Sequence, residues 1–490
     1  MQMEISKEKK YFLIFLLIHF LVFSLIGAIR LVLPTDTLEG IWWGGLFSFG
    51  NPKHPPLAGW ITYFVYNLFA KTDIILYFLS QAFIVCGLFF TYKLAKFFLE
   101  EKQAILSVVV LEGCWIYSYI TGYYGFNPDV VLLCTLPMVT YYFYRSMNFN
   151  KPYDWIMLGL TTGISFMGKY QTVLLLAGMF IWALVFNRKV FKNKLFYLSI
   201  LIAFLIFLPH LVWLIKSDFV SFAYYGSKLE TIDAISHIKE PLMFIFMQFA
   251  LIAGSIFIFA VNKYFDKSQF SLNRNIDKNG WFLIILTLTP LVIHVIIALL
   301  SASNIRPQWG FVFWYLIGII LFYFIPWNIT EKAFKNTIIT AYIVMFIIFI
   351  SFGTMLVLEK SYRSRYPVQA VLDDFEKMWE YKFHTPLKYI GGLIDFTYPI
   401  TIYGKSHPIN LMDTYNCANI WLNNDDLKKN GALILVKHEG ELEDFVRLTC
   451  PYLDSDITII PQEYKFKLVN ALGKSRDYHM YYYFVSPQNK

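Results

Sequence analysis

The stretch DTLEGIWWGGLFSFGNPKHPPL, residues 36–57, lies between two apolar runs and contains an Asp, a Glu, a Lys, a His, two Trp and a Pro-Pro pair. The run before it, YFLIFLLIHFLVFSLIGAI at 11–29, is long enough to cross the hydrocarbon core of a bilayer. It follows Lys7, Lys9 and Lys10 and lacks a small-residue cleavage site, so we interpret it as a retained helix. The polar stretch is therefore predicted to lie at a membrane face, directly after the first span.

The composition indicates a membrane protein. Of the 490 residues, 57% are hydrophobic and only 16% are charged, and the mean hydropathy is +0.50. Soluble domains usually carry about a quarter charged residues. The net charge of +8 is spread over loops, and no arginine-rich patch indicates a nucleic-acid partner. The chain is therefore predicted to be a polytopic α-helical membrane protein.

Hydropathy predicts about eleven transmembrane helices, near 11–33, 73–98, 104–123, 129–148, 155–168, 171–187, 195–215, 241–262, 281–301, 308–325 and 337–358. With the N-terminus inside, the inner loops hold 18 lysines and arginines and the opposite short loops hold eight. The positive-inside rule therefore predicts a cytoplasmic N-terminus and a C-terminus outside the cytoplasm. Both segments flanking Gly168-Lys169-Tyr170 are short, so we predict a hairpin that turns at Lys169.

The composition changes near Glu359, which divides the chain into a transmembrane domain, 1–358, and an extracytoplasmic α/β domain, 359–490. Short runs predict strands, and helical patterns alternate with them. The strand-like runs are PLKYI, ITIY, ALILV, DITII and MYYYFV, and the helical patterns are AVLDDFEKMWEY (370–381) and EGELEDFVRLTCPYL (439–453). Cys417 and Cys450 could form a disulfide in an oxidising compartment, and the sequence leaves this open.

Within the opening stretch, apolar residues recur at helical spacing, which predicts interfacial helices in the first outer loop, the second at 57–70. Asp36 as the N-cap and Glu39 three residues later would form a capping box, which is the structural alternative to a catalytic role. The segment NPKHPPLAGW then brings Lys53 and His54 to the same edge, and its two prolines keep the chain extended.

Further polar groups are predicted at this outer edge, namely Asn127, Asp129, Lys169, Tyr170, Asp218, Arg306 and Trp309. Charges at a membrane edge are costly and tend to pair or to face a cavity. Each has a structural alternative, such as snorkelling or helix capping, but all lie on one face. Cleaving a sugar from a lipid-linked phosphate requires cations at the leaving phosphate, which Lys53, Lys169 and Arg306 can supply. It also requires a carboxylate at the acceptor or the anomeric carbon, for which Asp36 is placed.

These residues resemble the signature of the GT-C superfamily of membrane glycosyltransferases. The similar branch is glycosyltransferase family 39, with the protein O-mannosyltransferases and the lipid A aminoarabinose and galacturonic acid transferases. The matching positions are Leu33-Pro-Thr-Asp36-Thr-Leu-Glu39, Lys53-His54-Pro55-Pro56-Leu57, Trp60, Asn127-Pro-Asp129, Gly168-Lys169-Tyr170 and Arg306-Pro-Gln-Trp309-Gly310. The family often has Asp-Glu side by side, whereas Thr37 follows Asp36 here, so the resemblance does not define the role of Glu39.

The resemblance implies Asp36 as the principal catalytic carboxylate and Asp129 as the second acidic position. Glu39, in the same loop as Asp36, is kept as a further catalytic candidate. The resemblance implies Lys53, Lys169 and Arg306 at the donor phosphate, and we assign His54 there because it adjoins Lys53. From their predicted positions at the same outer edge, we assign Asn127, Tyr170, Trp309 and Asp218 to substrate binding.

The resemblance also implies that the donor is a polyprenyl-phosphate-linked monosaccharide in contact with membrane lipids. The monosaccharide would be transferred with inversion at its anomeric carbon, without a cofactor or a catalytic metal.

The expected function is transfer of a monosaccharide to lipid A, another envelope glycoconjugate or a protein. The expected location is a bacterial cytoplasmic (inner) membrane, with the C-terminal domain periplasmic, because the outer loops lack glycosylation sequons. Two alternatives remain: a flippase or polymerase for lipid-linked oligosaccharide, and an envelope scaffold without chemistry. The scaffold leaves the cluster at 36–57 unexplained, and a transporter would place charges at the midplane.

Overall fold

A computed structural model describes residues 6–228, 234–266, 272–273, 275–301, 305–411, 423–453 and 456–488. Up to residue 358 the described chain is helical, with α1 (Lys7–Leu25), α2 (Thr35–Gly45), α3 (Leu57–Leu68), α4 (Ile74–Ala95), α5 (Glu101–Val109), α6 (Ile116–Tyr124), α7 (Pro128–Phe149), α8 (Pro152–Gly168), α9 (Thr172–Phe186), α10 (Lys194–Lys216), α11 (Val220–Lys228), α12 (Ala234–Phe265), α13 (Lys278–Ser301), α14 (Gln308–Phe311), α15 (Ile317–Phe324) and α16 (Glu331–Leu358).

Helices occur at all eleven places where the hydropathy predicts a span. Within the described chain, five helices are long and apolar enough to cross a membrane: α4, α10, α12, α13 and α16. A sixth candidate is the pair Glu101–Gly113 and Ile116–Tyr124, whose axes meet at 61°. A multi-pass membrane protein is therefore supported, while eleven complete crossings stay a prediction.

The first predicted outer loop contains the two expected helices, α2 and α3, which pack closely against each other. A Cβ atom on Gly44 would lie 2.1 Å from the carbonyl oxygen of Gly59, so the contact requires glycine at that position. The close approach fixes α2 next to the loop at 51–56 that connects the two helices.

The predicted break at Lys169 is present: α8 ends at Gly168, Lys169 has an extended backbone and α9 begins at Thr172. Helix α8 packs against α7 and α10, whereas α9 packs against α13. The break therefore sends the two helices to different neighbours and leaves the Lys169 side chain at the N-terminal end of α7, where it contacts Asp129.

An extended apolar core runs through the helical bundle. It includes Ile84, Val109, Leu132, Phe282 and Leu316, each 0% exposed. Many other apolar side chains on α10, α12 and α16 are exposed, which is expected for surfaces that face lipid.

The C-terminal α/β region follows α16 and has helices α17 (Tyr362–Arg365), α18 (Val368–Phe383), α19 (Ile394–Tyr403), α20 (Asn424–Asn430) and α21 (Leu442–Thr449), and strands β1 (Tyr389–Gly392), β2 (Ile409–Asn410), β3 (Ala432–Val436), β4 (Gln462–Val469) and β5 (Ser475–Val485). The described strands form one sheet in the order β2-β1-β3-β5-β4. Strands β2, β1 and β3 are parallel, and β5 runs antiparallel to β3 and β4.

Two helical layers cover this sheet. Alternate residues of β3 face opposite sides, since Leu433 lies in the apolar cluster with Trp379 of α18 while Ile434 lies in the cluster with Val446 of α21. This alternation is the period of two expected for a strand buried on both faces. The predicted α/β fold of this region is confirmed.

Two of the predicted strands are wrong. The run ITIY, 400–403, forms the end of helix α19, and DITII, 456–460, forms no strand. Helix α19 packs on α2 and α18, and these contacts outweigh the local β preference of isoleucine and threonine. Cys417, the predicted partner of Cys450, lies outside the described residues.

The C-terminal region shares an apolar cluster with the first loop of the membrane part. Leu33 and Ile41 belong to the same buried cluster as Leu372 and Phe396. Polar contacts add to it: Thr35 Oγ1 donates to Asp395 Oδ1 at 2.6 Å. The C-terminal region is therefore packed directly on the start of α2, one residue from Asp36.

Candidate active site

A cavity of about 630 Å³, called the central cavity below, lies between α2, α3, α6 and the start of α7. Polar side chains that line it are Asp36, Glu39, Asn51, Lys53, His54, Asn127, Asp129, Lys169, Arg306 and Gln308. Aromatic side chains in its wall are Trp43, Trp115, Tyr119, Tyr123, Tyr124, Phe126, Tyr224, Trp309 and Phe311. Nine of the eleven residues assigned to the site from sequence therefore meet around one space.

Asp36 does not cap its helix. Helix α2 begins at Thr35 with Pro34 as the N-cap, and no side chain makes a capping hydrogen bond there. The capping-box interpretation of Asp36 and Glu39 is therefore wrong. Asp36 instead accepts a hydrogen bond from Asn127 Nδ2 at 3.4 Å, and Glu39 lies one turn further along α2.

Lys53 is held over the cavity by a tight turn. The side-chain Oδ1 of Asn51 accepts hydrogen bonds from the backbone N–H groups of Lys53 at 3.0 Å and His54 at 2.8 Å. This Asx-type turn aims the Lys53 side chain back at α2, where Nζ lies 2.5 Å from Glu39 Oε1. Lys53 Nζ also lies 5.7 Å from the centre of the Tyr224 ring.

A second ion pair forms where α7 begins. Asn127 is the N-cap of α7, and its Oδ1 accepts from the backbone N–H groups of Asp129 at 3.0 Å and Val130 at 3.1 Å. Lys169 Nζ, from the break after α8, lies 2.6 Å from Asp129 Oδ1. Because the same Asn127 donates to Asp36, it joins the two acidic positions of the site.

Burial and neighbouring charges shift the pKa values of Asp36, Lys53 and His54 in different directions. Burial raises the pKa of Asp36, and the charge of Lys53 partly opposes this. Burial alone lowers the pKa of Lys53, but Glu39, Tyr224 and Asp36 together more than offset this effect, so the pKa is raised and Lys53 stays a cation. Burial, Lys169 and Lys53 all lower the pKa of His54, so His54 is a neutral imidazole at pH 7.

Arg306 and Trp309 also line the central cavity. Arg306 is exposed to the cavity, and within the described part of the chain no carboxylate lies within ion-pairing distance of it. The carbonyl of Trp309 accepts a hydrogen bond from Gln171 Nε2 at 3.3 Å, which ties this segment to the start of α9. Arg306 is thus a cation available to an anionic ligand.

Two residues assigned from sequence lie outside the cavity wall. Tyr170 points away from it, with its hydroxyl 2.7 Å from His210 Nε2. Asp218 is exposed in the turn after α10, where its φ is +49°. Both residues lie in polar segments of the sequence, but backbone turns direct their side chains away from the central cavity.

The sequence analysis did not identify several residues of the cavity wall. Asn51 could have been found, because Asn followed by Pro, Lys and His is a typical turn sequence. Tyr124, Tyr224 and Gln308 carry no such local signal, and only the packing of α6, α11 and α14 brings them to the site.

Among the residues described, no group of three or more His, Cys, Asp or Glu side chains is arranged to hold a metal ion. The three acidic side chains at the cavity instead contact lysine or asparagine. The independence from metal implied by the family resemblance stays a prediction.

Comparison with known proteins shows similarity in sequence and in fold. The family model for dolichyl-phosphate-mannose-protein mannosyltransferase matches residues 53–213. The structure resembles ArnT from Cupriavidus metallidurans bound to undecaprenyl phosphate, with a TM-score of 0.63, 11% sequence identity and coverage of 97% of this chain and 99% of that chain.

Two structures of the oligosaccharyltransferase from Archaeoglobus fulgidus are less similar. One is a complex with Zn and sulfate, with a TM-score of 0.41, 12% identity and coverage of 95% of this chain and 73% of that chain. The other is a complex with an inhibitory peptide and a dolichol-phosphate, with a TM-score of 0.42, 12% identity and coverage of 96% and 74%. No curated protein matches the chain by sequence. The ArnT-like fold and the family model together confirm the resemblance of this chain to the GT-C membrane glycosyltransferases.

Proposed function

We propose that this protein transfers a monosaccharide from a polyprenyl-phosphate donor to a hydroxyl or phosphate oxygen of an envelope acceptor, at the outer face of a bacterial cytoplasmic membrane. The observation that carries the proposal is the difference between the carboxylates of the central cavity. Glu39 and Asp129 are each neutralised by a lysine, at 2.5 Å and 2.6 Å. Asp36 has no such partner among the described residues and accepts only the Asn127 hydrogen bond of 3.4 Å.

Asp36 is the general base in this proposal. It takes the proton from the acceptor, whose oxygen then forms a bond to the anomeric carbon of the sugar. The raised pKa of Asp36, caused by burial, makes it a stronger base than an exposed aspartate. The Asn127 amide keeps the carboxylate oriented toward the cavity.

The bond between the anomeric carbon and the phosphate oxygen breaks, and its electron pair stays on polyprenyl phosphate. Arg306 and Lys53 stabilise the negative charge that develops there, and neutral His54 can donate one hydrogen bond. Glu39 and Asp129 act through the lysines that they hold, so we assign them as positioning residues. Attack from the side opposite the phosphate would invert the anomeric centre.

The fold supports the choice of donor, because the similar ArnT structure contains undecaprenyl phosphate. A sugar at the central cavity would leave the polyprenyl tail in the lipid around the bundle. The acceptor class is open between lipid A, another glycoconjugate and protein.

The test uses the purified full chain with polyprenyl-phosphate-linked sugars, and measures the release of free polyprenyl phosphate. The unsubstituted chain should release it, and Asp36→Asn should not. A chain that moves the donor across vesicles without cleaving it would instead be a flippase and would overturn the proposal. Mass spectrometry of envelope lipids from cells with and without the protein would then identify the sugar and the acceptor.

A further inference from the structure

A second cavity of about 580 Å³ adjoins the central cavity on the side of the C-terminal region. The two cavities share Asp36, Lys53, Tyr124, Tyr224 and Arg306 in their walls. The second cavity is closed on its far side by the C-terminal region, including residues 393–395. A molecule in this second cavity would therefore reach Asp36 from the side of the C-terminal region.

Next to the second cavity lies a further recess of about 410 Å³, called the basic recess below. Both share Glu359, Ser361 and Tyr362. The remaining wall of the basic recess consists of Lys360, Lys437, Arg476 and Tyr478. The three spaces are therefore adjacent to one another, from the C-terminal region to the proposed base.

The three cations of the basic recess are not neutralised by neighbouring carboxylates. In the described ranges, Lys360, Lys437 and Arg476 form no ion pair within 4.0 Å. Lys360 Nζ makes a long contact of 3.4 Å with the carbonyl of Ser475. The one carboxylate in the wall, Glu359, is engaged by the Ser364 hydroxyl at 2.7 Å. The recess therefore carries a net positive charge that is available to bind an anionic ligand.

Two tyrosines provide an apolar platform beside these cations. The rings of Tyr362 and Tyr478 are 5.3 Å apart with an angle of 42° between them. Lys437 Nζ lies 5.9 Å from the centre of the Tyr362 ring. Aromatic faces next to a few charged groups are typical of sites that bind a ligand with an apolar face and a polar substituent, as a phosphorylated sugar has.

We propose that the basic recess binds a phosphate group of a phosphorylated saccharide acceptor, with a sugar ring against Tyr362 or Tyr478. Lys360, Lys437 and Arg476 bind the phosphate, and the rest of the acceptor extends through the second cavity to Asp36. The assignment of this ligand as the acceptor rests on the proposed glycosyltransferase function. The basic recess would thus favour phosphorylated acceptors over uncharged saccharides and over protein hydroxyls.

The test measures binding of maltose 1-phosphate, maltose and inorganic phosphate to the full chain in detergent by titration calorimetry. The unsubstituted chain should bind maltose 1-phosphate more tightly than either other probe. The double variant Lys437→Gln, Arg476→Gln should weaken that binding by about tenfold or more, because two charge-assisted contacts are lost. Lys465→Gln is the matched control: Lys465 is 74% exposed on β4 of the same sheet and pairs with Glu463, and its loss should leave binding unchanged.

Equal binding of maltose and maltose 1-phosphate, or equal affinity in the double variant and the control, would overturn the proposal. A short-chain phosphatidylglycerol distinguishes the other source of phosphate. If it binds as tightly as maltose 1-phosphate and shows the same loss in the double variant, the recess is a lipid headgroup site and not an acceptor site. Failure of the proposed function is seen separately, as absence of polyprenyl phosphate release by the unsubstituted chain, a measurement that uses none of these probes.

Discussion

At the scale of single residues, the site is defined by which charges are neutralised. Two carboxylate–lysine pairs, Glu39–Lys53 and Asp129–Lys169, bracket Asp36, which has only an amide partner. Burying a carboxylate without a cationic partner costs free energy of folding. A carboxylate held in a cavity wall with only an amide partner, as Asp36 is, therefore indicates a functional role. Asp36, and not Glu39 or Asp129, is therefore the candidate for the general base.

Asp36→Asn should lower the transfer rate by about 10²–10⁴-fold, the usual contribution of a general base. The amide keeps the shape of the side chain and still accepts the Asn127 hydrogen bond, so the thermal unfolding midpoint should stay the same. Both quantities are measured on the same preparation. Retained transfer would mean that another group accepts the proton.

The pH dependence of kcat/KM tests the environment of Asp36. The base works when deprotonated, so activity is present above its pKa and is lost as the pH falls through it. Because burial raises this pKa, the acid limb should lie above the ordinary value of 3.8. Lys53→Gln removes a charge that lowers the pKa, so the acid limb should move to still higher pH. A shift to lower pH would contradict the assignment of Asp36 as the base.

At the scale of elements, the break between α8 and α9 places Lys169 against the first turn of α7. The side chains of Lys169 and Asp129 are 6% and 21% exposed, so the pair is largely buried. Breaking such a pair leaves an uncompensated charge.

Lys169→Ala should therefore destabilise the protein by roughly 3 kcal/mol, the lower end of the range for buried pairs. Lys169→Arg keeps the charge and should cost less. Thermal unfolding is measured for Lys169→Ala, for Asp129→Asn and for the variant that combines them. These three values give the coupling between the two residues as a double-mutant cycle. No coupling between the two sites would show that the ion pair does not hold the elements together.

A second link between elements joins the C-terminal region to α2. Asp395 Oδ1 accepts from Thr35 Oγ1 at 2.6 Å, and Asp395 Oδ2 lies 2.9 Å from Arg363 Nε. Since Thr35 precedes Asp36, the C-terminal region helps to set the position of the proposed base.

Asp395→Asn should reduce kcat about tenfold while KM for the donor changes little, because small displacements of a catalytic group cost rate. Asp426→Asn is the control, since it removes an ion pair with Lys388 elsewhere in the C-terminal region. Equal effects of the two substitutions on kcat would indicate general destabilisation of the C-terminal region.

At the scale of the whole molecule, the positive-inside rule predicts the orientation. A single cysteine at Asp477, exposed on β5, should react with a membrane-impermeant maleimide added outside intact cytoplasmic membranes. A cysteine at Lys192, in the basic loop after α9, should react only after permeabilisation. The background is a chain with its five cysteines replaced by serine. The reverse labelling pattern would invert the topology.

The sequence by itself determined the membrane class, the places of the eleven apolar helices, the α/β character of the C-terminal region and most of the polar residues that line the central cavity. Each of these depends on local information. Long apolar runs specify helices in lipid, and polar residues between them indicate a cavity edge. The motifs at 36–57 and 127–129 and the turn at Lys169 were therefore visible as a set before their positions in space were known.

Only the tertiary structure decided how these residues are paired. Whether Asp36 caps a helix depends on where α2 begins, and α2 begins two residues earlier than the capping interpretation requires. The run ITIY becomes helix because α19 packs on α2 and α18, and Tyr170 and Asp218 leave the site because backbone turns redirect them. The basic recess joins residues 359–362 with residues 437, 476 and 478, which are distant in sequence. Such contacts carry no local pattern, because they arise when separate elements bury their surfaces against one another.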